Sequence, residues 1–419
     1  MIYYVDNLNG SDNTDGLSPS TPIRDYTALS LRAGDTVLFK RGSVYNSELL
    51  LTEGAIGNPI TYSAYGEGEM PTFTGGTDVS LPDDWTPTDR ENVWRCERET
   101  RGNVCNFVLD GECTATLRWA ASDLRAQGDF FDELYTENCF RVKWPDPTLR
   151  AGHLYMYSVG NPATVYKSII AIDFAPRLCF IRDNVVIDGI AFKNNSVHAI
   201  AGAGGRNVTV RSCHFENIGG CVWSYEMRIR LGNAIEFWDI AENILVEGCS
   251  FKNVYDSCVT HQGPGAKTHP AESFIVRNCR FDSYGMAAFE YRDRLPKDSA
   301  FVGNVCINAG VGFAMLGEEG PRRSEIWPQP MGHHIFLWRI DGATEGGSLV
   351  IEGNTFGTAP VGAAIYSIID SRAEAQITLK NNRYTRNDTL LVRFGGESFT
   401  DLAEYQRKCG TDDGSVYVD

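Results

Sequence analysis

Three acidic residues, Glu236, Asp256 and Glu290, stand in or beside segments of one shape. Glu236 lies in Ala234-Ile235-Glu236-Phe237-Trp238 and Glu290 in Ala288-Phe289-Glu290-Tyr291-Arg292, while Asp256 shortly precedes Cys258-Val259-Thr260-His261-Gln262. Successive side chains of a strand point to opposite faces. If Ile235, Val259 and Phe289 turn into a core, Glu236, Thr260 and Glu290 emerge together on the outer face, followed there by Trp238, Gln262 and Arg292. Neighbouring strands lie about 4.8 Å apart, so the backbones of Glu236 and Glu290, with Thr260 between them, are separated by roughly 9 to 10 Å. Paired carboxyl groups at such spacings suit cleavage of a glycosidic bond, one as proton donor and the other as base or nucleophile. The required separation is about 5 to 5.5 Å for retention and about 6.5 to 9.5 Å for inversion. Asp256 with Glu290 makes a closer pair than Glu236 with Glu290, so the candidate catalytic set is Asp256, Glu290 and Glu236. A single outward carboxylate is ordinarily solvated or ion-paired. Three of them beside Trp238, Thr260, His261, Gln262, Tyr291 and Arg292 form a patch in which aromatic rings can stack on sugar faces and polar groups can bond hydroxyls.

Further candidates lie in a long excursion near 316–347, which is expected to fold over the same face. It carries Glu318, Glu319, Arg322, Arg323, Trp327, His333, His334 and Trp338, of which Glu318, His334 and Trp338 join the expected sugar contacts. His333 and His334 are adjacent and so point opposite ways on a strand, which argues against a metal site. The Asp6 to Asp15 stretch lacks the bidentate acid of a calcium loop. Gly202-Ala203-Gly204-Gly205 joins two strands rather than opening a helix, so it is no phosphate cradle. No cofactor and no metal are expected.

What must position these residues is a repeat: apolar, any, apolar, two turn-like residues, a small or amide residue, any, aromatic. It occurs at Val185-Val186-Ile187-Asp188-Gly189-Ile190-Ala191-Phe192 and at Val208-Thr209-Val210-Arg211-Ser212-Cys213-His214-Phe215, with further copies ending at Phe251, Phe281, Ile307, Phe356 and Tyr384. The spacings between end points are 23, 36, 30, 26, 49 and 28 residues. A unit of about 20 to 30 residues with alternating polarity is one coil of a solenoid, and longer units carry loops on one side. Cys213, Cys249, Cys279, Asn354 and Asn382 recur at one position and would stack as an internal ladder. The fold class is therefore all-β, a right-handed parallel β-helix, and a β-sandwich does not account for one side-chain type recurring at one inward position.

Several segments resemble the pectate-lyase-like superfamily of bacterial β-helix proteins. They are Tyr3-Tyr4-Val5-Asp6, Asn9-Gly10-Ser11-Asp12, Asp15-Gly16-Leu17-Ser18-Pro19, Ala33-Gly34-Asp35-Thr36-Val37-Leu38-Phe39, Pro59-Ile60-Thr61-Tyr62-Ser63-Ala64-Tyr65-Gly66, Tyr255-Asp256 with Thr260-His261-Gln262-Gly263, and Phe289-Glu290-Tyr291. The resemblance covers most of the chain and is nearest to the β-helical glycoside hydrolases of fucosidase, xylanase and lacto-N-biosidase type. It implies a carbohydrate-active enzyme and leaves the reaction open, because the same superfamily holds lyases and epimerases.

The organisation expected is an N-terminal cap with the first coils over 1–83, a β-rich insertion over 84–180, the main helix over 181–395 and a C-terminal cap over 396–419. The insertion carries Trp85, Trp94, Trp119 and Trp144, with strands expected at Gly128-Asp129-Phe130-Phe131 and His153-Leu154-Tyr155-Met156-Tyr157-Ser158, and is expected to wall a cleft. A second excursion is expected near 222–232. Asp401 and Gly410 bound a short helix that covers the last coil. The 12 cysteines, several at one repeat position, suggest buried thiols and a reducing compartment, and the N-terminus shows no basic and apolar leader, so a cytoplasmic protein is expected. No apolar run is long enough to span a membrane. The net charge of −16 disfavours nucleic acid and repels a polyanion unless basic residues concentrate at the site. A neutral or amino-sugar glycan fits more easily. Nothing suggests a coiled coil, so a monomer is favoured.

Three functions compete: a glycoside hydrolase with Asp256 and Glu290 as the catalytic pair and Glu236 supporting or replacing one of them; a lyase or uronate epimerase relying on Arg292, Arg294, Tyr291 and His261; and a non-catalytic glycan-binding β-helix.

Overall fold

The computed structural model describes residues 1–100, 102–133, 153–173, 175–225, 228–263, 265–316, 331–386 and 390–418. Alternating segments such as Val208-Thr209-Val210 pair in parallel, in strict register, with their counterparts one coil away. The result is a right-handed parallel β-helix whose coils contribute strands to three sheets of 10, 9 and 10 strands. The first sheet runs unbroken from Ile2–Val5 through Ile60–Tyr65 to Val185–Asp188 and on to Ile377–Lys380. The early coils and the main helix are thus one stack, interrupted in sequence but not in space by the insertion.

The core is built by repetition. Phe192, Phe215, Phe251 and Phe281 stack ring on ring at centroid separations of 5.4, 4.7 and 4.7 Å, all essentially buried. Truncating one such ring to alanine costs about 3–5 kcal/mol, because the cavity is closed by neighbours above and below. At the corners the chain must turn through left-handed backbone, which asparagine tolerates and can also tie down. Asn184, Asn207 and Asn243 have φ of 56°, 54° and 55°, and their amides bond rung to rung at 2.8 and 2.7 Å.

The inward ladder differs from expectation by one residue at one coil. Cys279 N–H donates to Asn304 Oδ1, and Asn304 N–H to Asn354 Oδ1, both at 2.9 Å, so Asn304 is a rung between the cysteines and asparagines. Accordingly Cys306, not Ile307, pairs with Phe281 below and Phe356 above. The sulfur fills a position that aromatic rings hold elsewhere. The eleven cysteines among the described residues are free thiols.

The insertion forms a five-stranded sheet, which includes Asp129–Asp132 and Leu154–Tyr157, with its own apolar cluster around Trp85, Trp119, Phe107 and Phe130. Trp144 lies outside the described residues. The excursion near 222–232 is an antiparallel hairpin of Cys221–Ser224 and Ile229–Leu231. It ties insertion to helix: Tyr225 bonds Trp119 O at 2.7 Å and Arg230 bonds Cys105 O at 2.6 Å. The second excursion is shorter than expected. His333–Trp338 is a regular coil strand, so His333, His334 and Trp338 belong to the helix, while Glu318, Glu319, Arg322, Arg323 and Trp327 lie outside the described residues. At the C-terminus Asp401 caps the helix Leu402–Cys409, Gly410 ends it in left-handed conformation, and Leu402 and Tyr405 join the core. Among the described residues no helix is long and apolar enough to cross a membrane.

Candidate functional site

The nine-stranded sheet carries the carboxylates. Ile235, Val259, Phe289 and Ile335 are register partners and are fully buried in the helix core. Alternation therefore sends Glu236, Thr260 and Glu290, also register partners, to the opposite face. Two strand spacings separate Glu236 from Glu290, about 9.6 Å at the backbone. Outward does not mean exposed: Glu236 and Thr260 are 0% and Glu290 is 1% accessible. The column continues as Phe336 and Tyr366, which join Trp338, Met286, Met331 and Ala363 in an apolar cluster. The carboxylates thus lie under a covered, partly apolar face.

Each carboxylate has different company. Glu290 Oε2 accepts from Ser257 Oγ at 2.6 Å, and its Oε1 from the Trp338 indole N–H at 2.8 Å. Arg292 lies 3.6 Å from Oε1. Burial raises the Glu290 carboxyl above the usual carboxylate range; the Arg292 charge opposes this, and the Asp256 charge adds to it. For Glu236 burial also acts upward, but the His198 charge and the bonds from His198 and Asn233 outweigh it, and the carboxyl falls below its ordinary value. Asn233 Nδ2 donates to Glu236 Oε2 at 2.6 Å, and His198 Nδ1 lies 3.0 Å from the same oxygen. Nδ1 is also 3.2 Å from the Asn233 N–H, and the two neighbours make opposite demands on it. The carboxylate contact is shorter and compensates a buried charge, so a proton on Nδ1 facing Glu236 is the favoured arrangement. Glu236 Oε1, Thr260 Oγ1 and Gln262 Oε1 are buried with no hydrogen-bond partner among the described residues. Buried polar atoms rarely go unpaired without a ligand or water to meet them.

Asp256 is nearly buried at the strand entrance, and its Oδ2 is 3.4 Å from the Gly232 N–H. Tyr255 beside it packs in a cluster with Val108 and Ile172 of the insertion, so the insertion borders this end of the site. Trp238 is 44% exposed, Gln262 is buried, and Arg292 stands over the Trp338 ring at 5.1 Å.

Three expected sugar contacts are turned away from this face. Tyr291 lies in the core among Phe289 and Phe274. His261, its register partner, is fully buried and bonds Asp239 O at 2.5 Å through Nε2. His334 is stacked on Phe356 and hydrogen-bonded to Tyr284 inside the helix. The cause is parity: Tyr291 and His261 each follow an outward residue by one position. Glu318 lies outside the described residues.

His198, Asn233 and Ser257 were not singled out by the sequence reading. Strand parity hides them, since each lies two residues before an inward apolar residue, Ile200, Ile235 or Val259, and strict alternation would assign it to the same inward face. Among the described residues no three His, Cys, Asp or Glu side chains gather to hold a metal.

Residues 154–321 match the family described as right handed beta helix region. A lacto-N-biosidase of Bifidobacterium longum subsp. longum is 37% identical over 126 residues, 27% of this chain and 7% of that protein. Among solved structures, a lacto-N-biosidase from Eubacterium ramulus aligns over 94% of this chain and 62% of its own with a TM-score of 0.50 and 15% identity. Pectate lyase Pel9A aligns over 100% of this chain and 76% of its own, with a TM-score of 0.51 and 12% identity. The chain thus spans less than two thirds of both lacto-N-biosidases. At these structural identities the likeness is one of fold, the right-handed parallel β-helix.

Proposed function

We propose that this protein hydrolyses a glycosidic bond in a neutral or amino-sugar glycan, with Glu290 as proton donor and Glu236 as base. The observation that carries this reading is the placement of two buried carboxylates in one outward column, two strands apart, with the unpartnered Thr260 Oγ1 between them. Their environments divide the labour. Burial and the Asp256 charge raise the Glu290 carboxyl, as suits a proton donor, and His198 with Asn233 lowers the Glu236 carboxyl, as suits a base. A separation of about 9.6 Å at the backbone leaves room for a water beside Glu236, as inversion requires. Asp256 then acts on the charge of Glu290 rather than on the substrate. The names of the lacto-N-biosidase relatives support carbohydrate hydrolysis.

The lyase reading needs cationic or basic groups on the same face, and two of its four candidates, Tyr291 and His261, point into the core. That weighs against it even though Pel9A shares the fold.

The test is a panel of aryl glycosides and natural glycans assayed for released reducing sugar, with Glu290→Gln alongside. Release that the variant abolishes supports the hydrolase; ultraviolet absorbance from an unsaturated uronate product would replace it with a lyase.

A further inference from the structure

The outer face continues past Arg292 and Trp338. Beyond the ends of strands Ala287–Arg292 and His333–Trp338 lies a cavity of about 320 Å³ lined by Lys267, Asp293, Arg294, Arg339 and Asp341. In a chain of net charge −16, three cations against two carboxylates make this a local reversal of sign. The cations are not all spent internally. Asp293 is committed to Arg339, 3.8 Å away, with its own side chain 5% exposed. Arg294 donates Nε–H to Lys267 O at 2.9 Å, which fixes the guanidinium plane. Its terminal nitrogens and the Lys267 ammonium make no hydrogen bond or ion pair among the described residues. The cavity adjoins the candidate site through one ring, because Arg339 and Arg292 stand over Trp338 at 5.6 and 5.1 Å and Trp338 donates to Glu290. The exposed Trp238 lies against Gly263, in the turn that leads to Lys267.

We infer that this cavity is a subsite for one acidic sugar, a ring bearing a carboxylate or a sulfate ester, within the glycan whose neutral linkage is cut at Glu290. This rests on the hydrolase reading of that face. A guanidinium held in plane matches an oxyanion bidentately, and the lysine adds a point charge. Asp341 accepts from ring hydroxyls. The volume is near the lower end of ligand pockets, about 300 Å³, which suits one ring rather than a chain of them. The negative charge elsewhere repels a substrate acidic at every residue and tolerates one acid group placed here.

The experiment is calorimetric titration of the intact protein with glucuronic acid, N-acetylglucosamine 6-sulfate and N-acetylglucosamine. Wild type is compared with Lys267→Ala, Arg294→Ala, Glu290→Gln and, as a distant charge control, Arg206→Ala. The expected result is that at least one acidic sugar binds tenfold or more tightly than the neutral one. Each pocket variant should weaken it about tenfold, the control should leave it unchanged, and about 0.5 M salt should weaken it further. Which acidic sugar binds identifies the carboxylate or the sulfate. Equal binding of acidic and neutral sugars, or acidic-sugar binding untouched in both pocket variants, overturns the inference. Glu290→Gln separates the two readings: it should abolish hydrolysis and keep acidic-sugar binding. Acidic-sugar binding in a wild type that hydrolyses no glycan would sink the hydrolase and leave the subsite standing as a binding site.

Discussion

Glu236 and Glu290 occupy the same register position two coils apart, yet one is held ionised by His198 and Asn233 while the other is driven toward its neutral form by burial and by Asp256. Identical side chains on one repeating scaffold thus acquire opposite proton demands from their neighbours alone. Four expectations follow from this arrangement and from the histidines inside the helix.

Replacing either carboxylate removes half of the acid–base pair. Glu290→Gln and Glu236→Gln should each lower kcat about 100- to 10,000-fold with little change in melting temperature. Asp256→Asn should cost less than either. Proton NMR of the first-formed anomer should show inversion, given two strand spacings between the pair. Retention would transfer the second role to Asp256.

The indole N–H of Trp338 favours the ionised form of Glu290, so Trp338→Phe should raise the Glu290 carboxyl further. A proton donor works while protonated, so its titration sets the basic limb of kcat/KM against pH. That limb should move to higher pH in Trp338→Phe; a basic limb that stays in place while the acidic limb moves to higher pH would mean that Glu290 acts as the base.

His198→Gln removes the charge that holds Glu236 down. The base then protonates at higher pH, and the acidic limb of the profile should rise while the basic limb stays in place. An unmoved acidic limb would show that His198 serves packing only.

His261 and His334 are held neutral by burial, each lowered to about 4, with hydrogen bonds to Asp239 O and Gly357 O opposing the fall. The unfolded chain takes up those protons below about pH 6.5 and the folded chain does not, so stability is present above that pH and is lost as pH falls toward 4. The loss is at most about 3 kcal/mol per histidine. Thermal melting followed from pH 7 to 4 should show a steep decline, with a shallower slope in His334→Gln than in wild type. Equal slopes would mean that His334 takes up its proton in the folded state.

Much of the architecture was legible in the chain because alternation and coil length are local properties that a parallel solenoid repeats without change. The period of two placed Ile235, Val259 and Phe289 inside and Glu236, Thr260 and Glu290 outside, and the same period places His261 and Tyr291 in the core. The Cys279 to Asn354 step was less legible. The rung between them is an asparagine, Asn304, and the aromatic place above it holds Cys306, so composition misled by one residue. What the tertiary structure alone decided is what surrounds the outward column. Phe336, Trp338 and Tyr366 bury a face that parity labels exterior, His198 reaches Glu236 from the coil below, and Lys267, Arg294 and Arg339 meet from three separate turns. Burial and charge at a site sum over neighbours distant in sequence, and it is these sums, not the residue types, that set the direction in which each carboxyl is shifted.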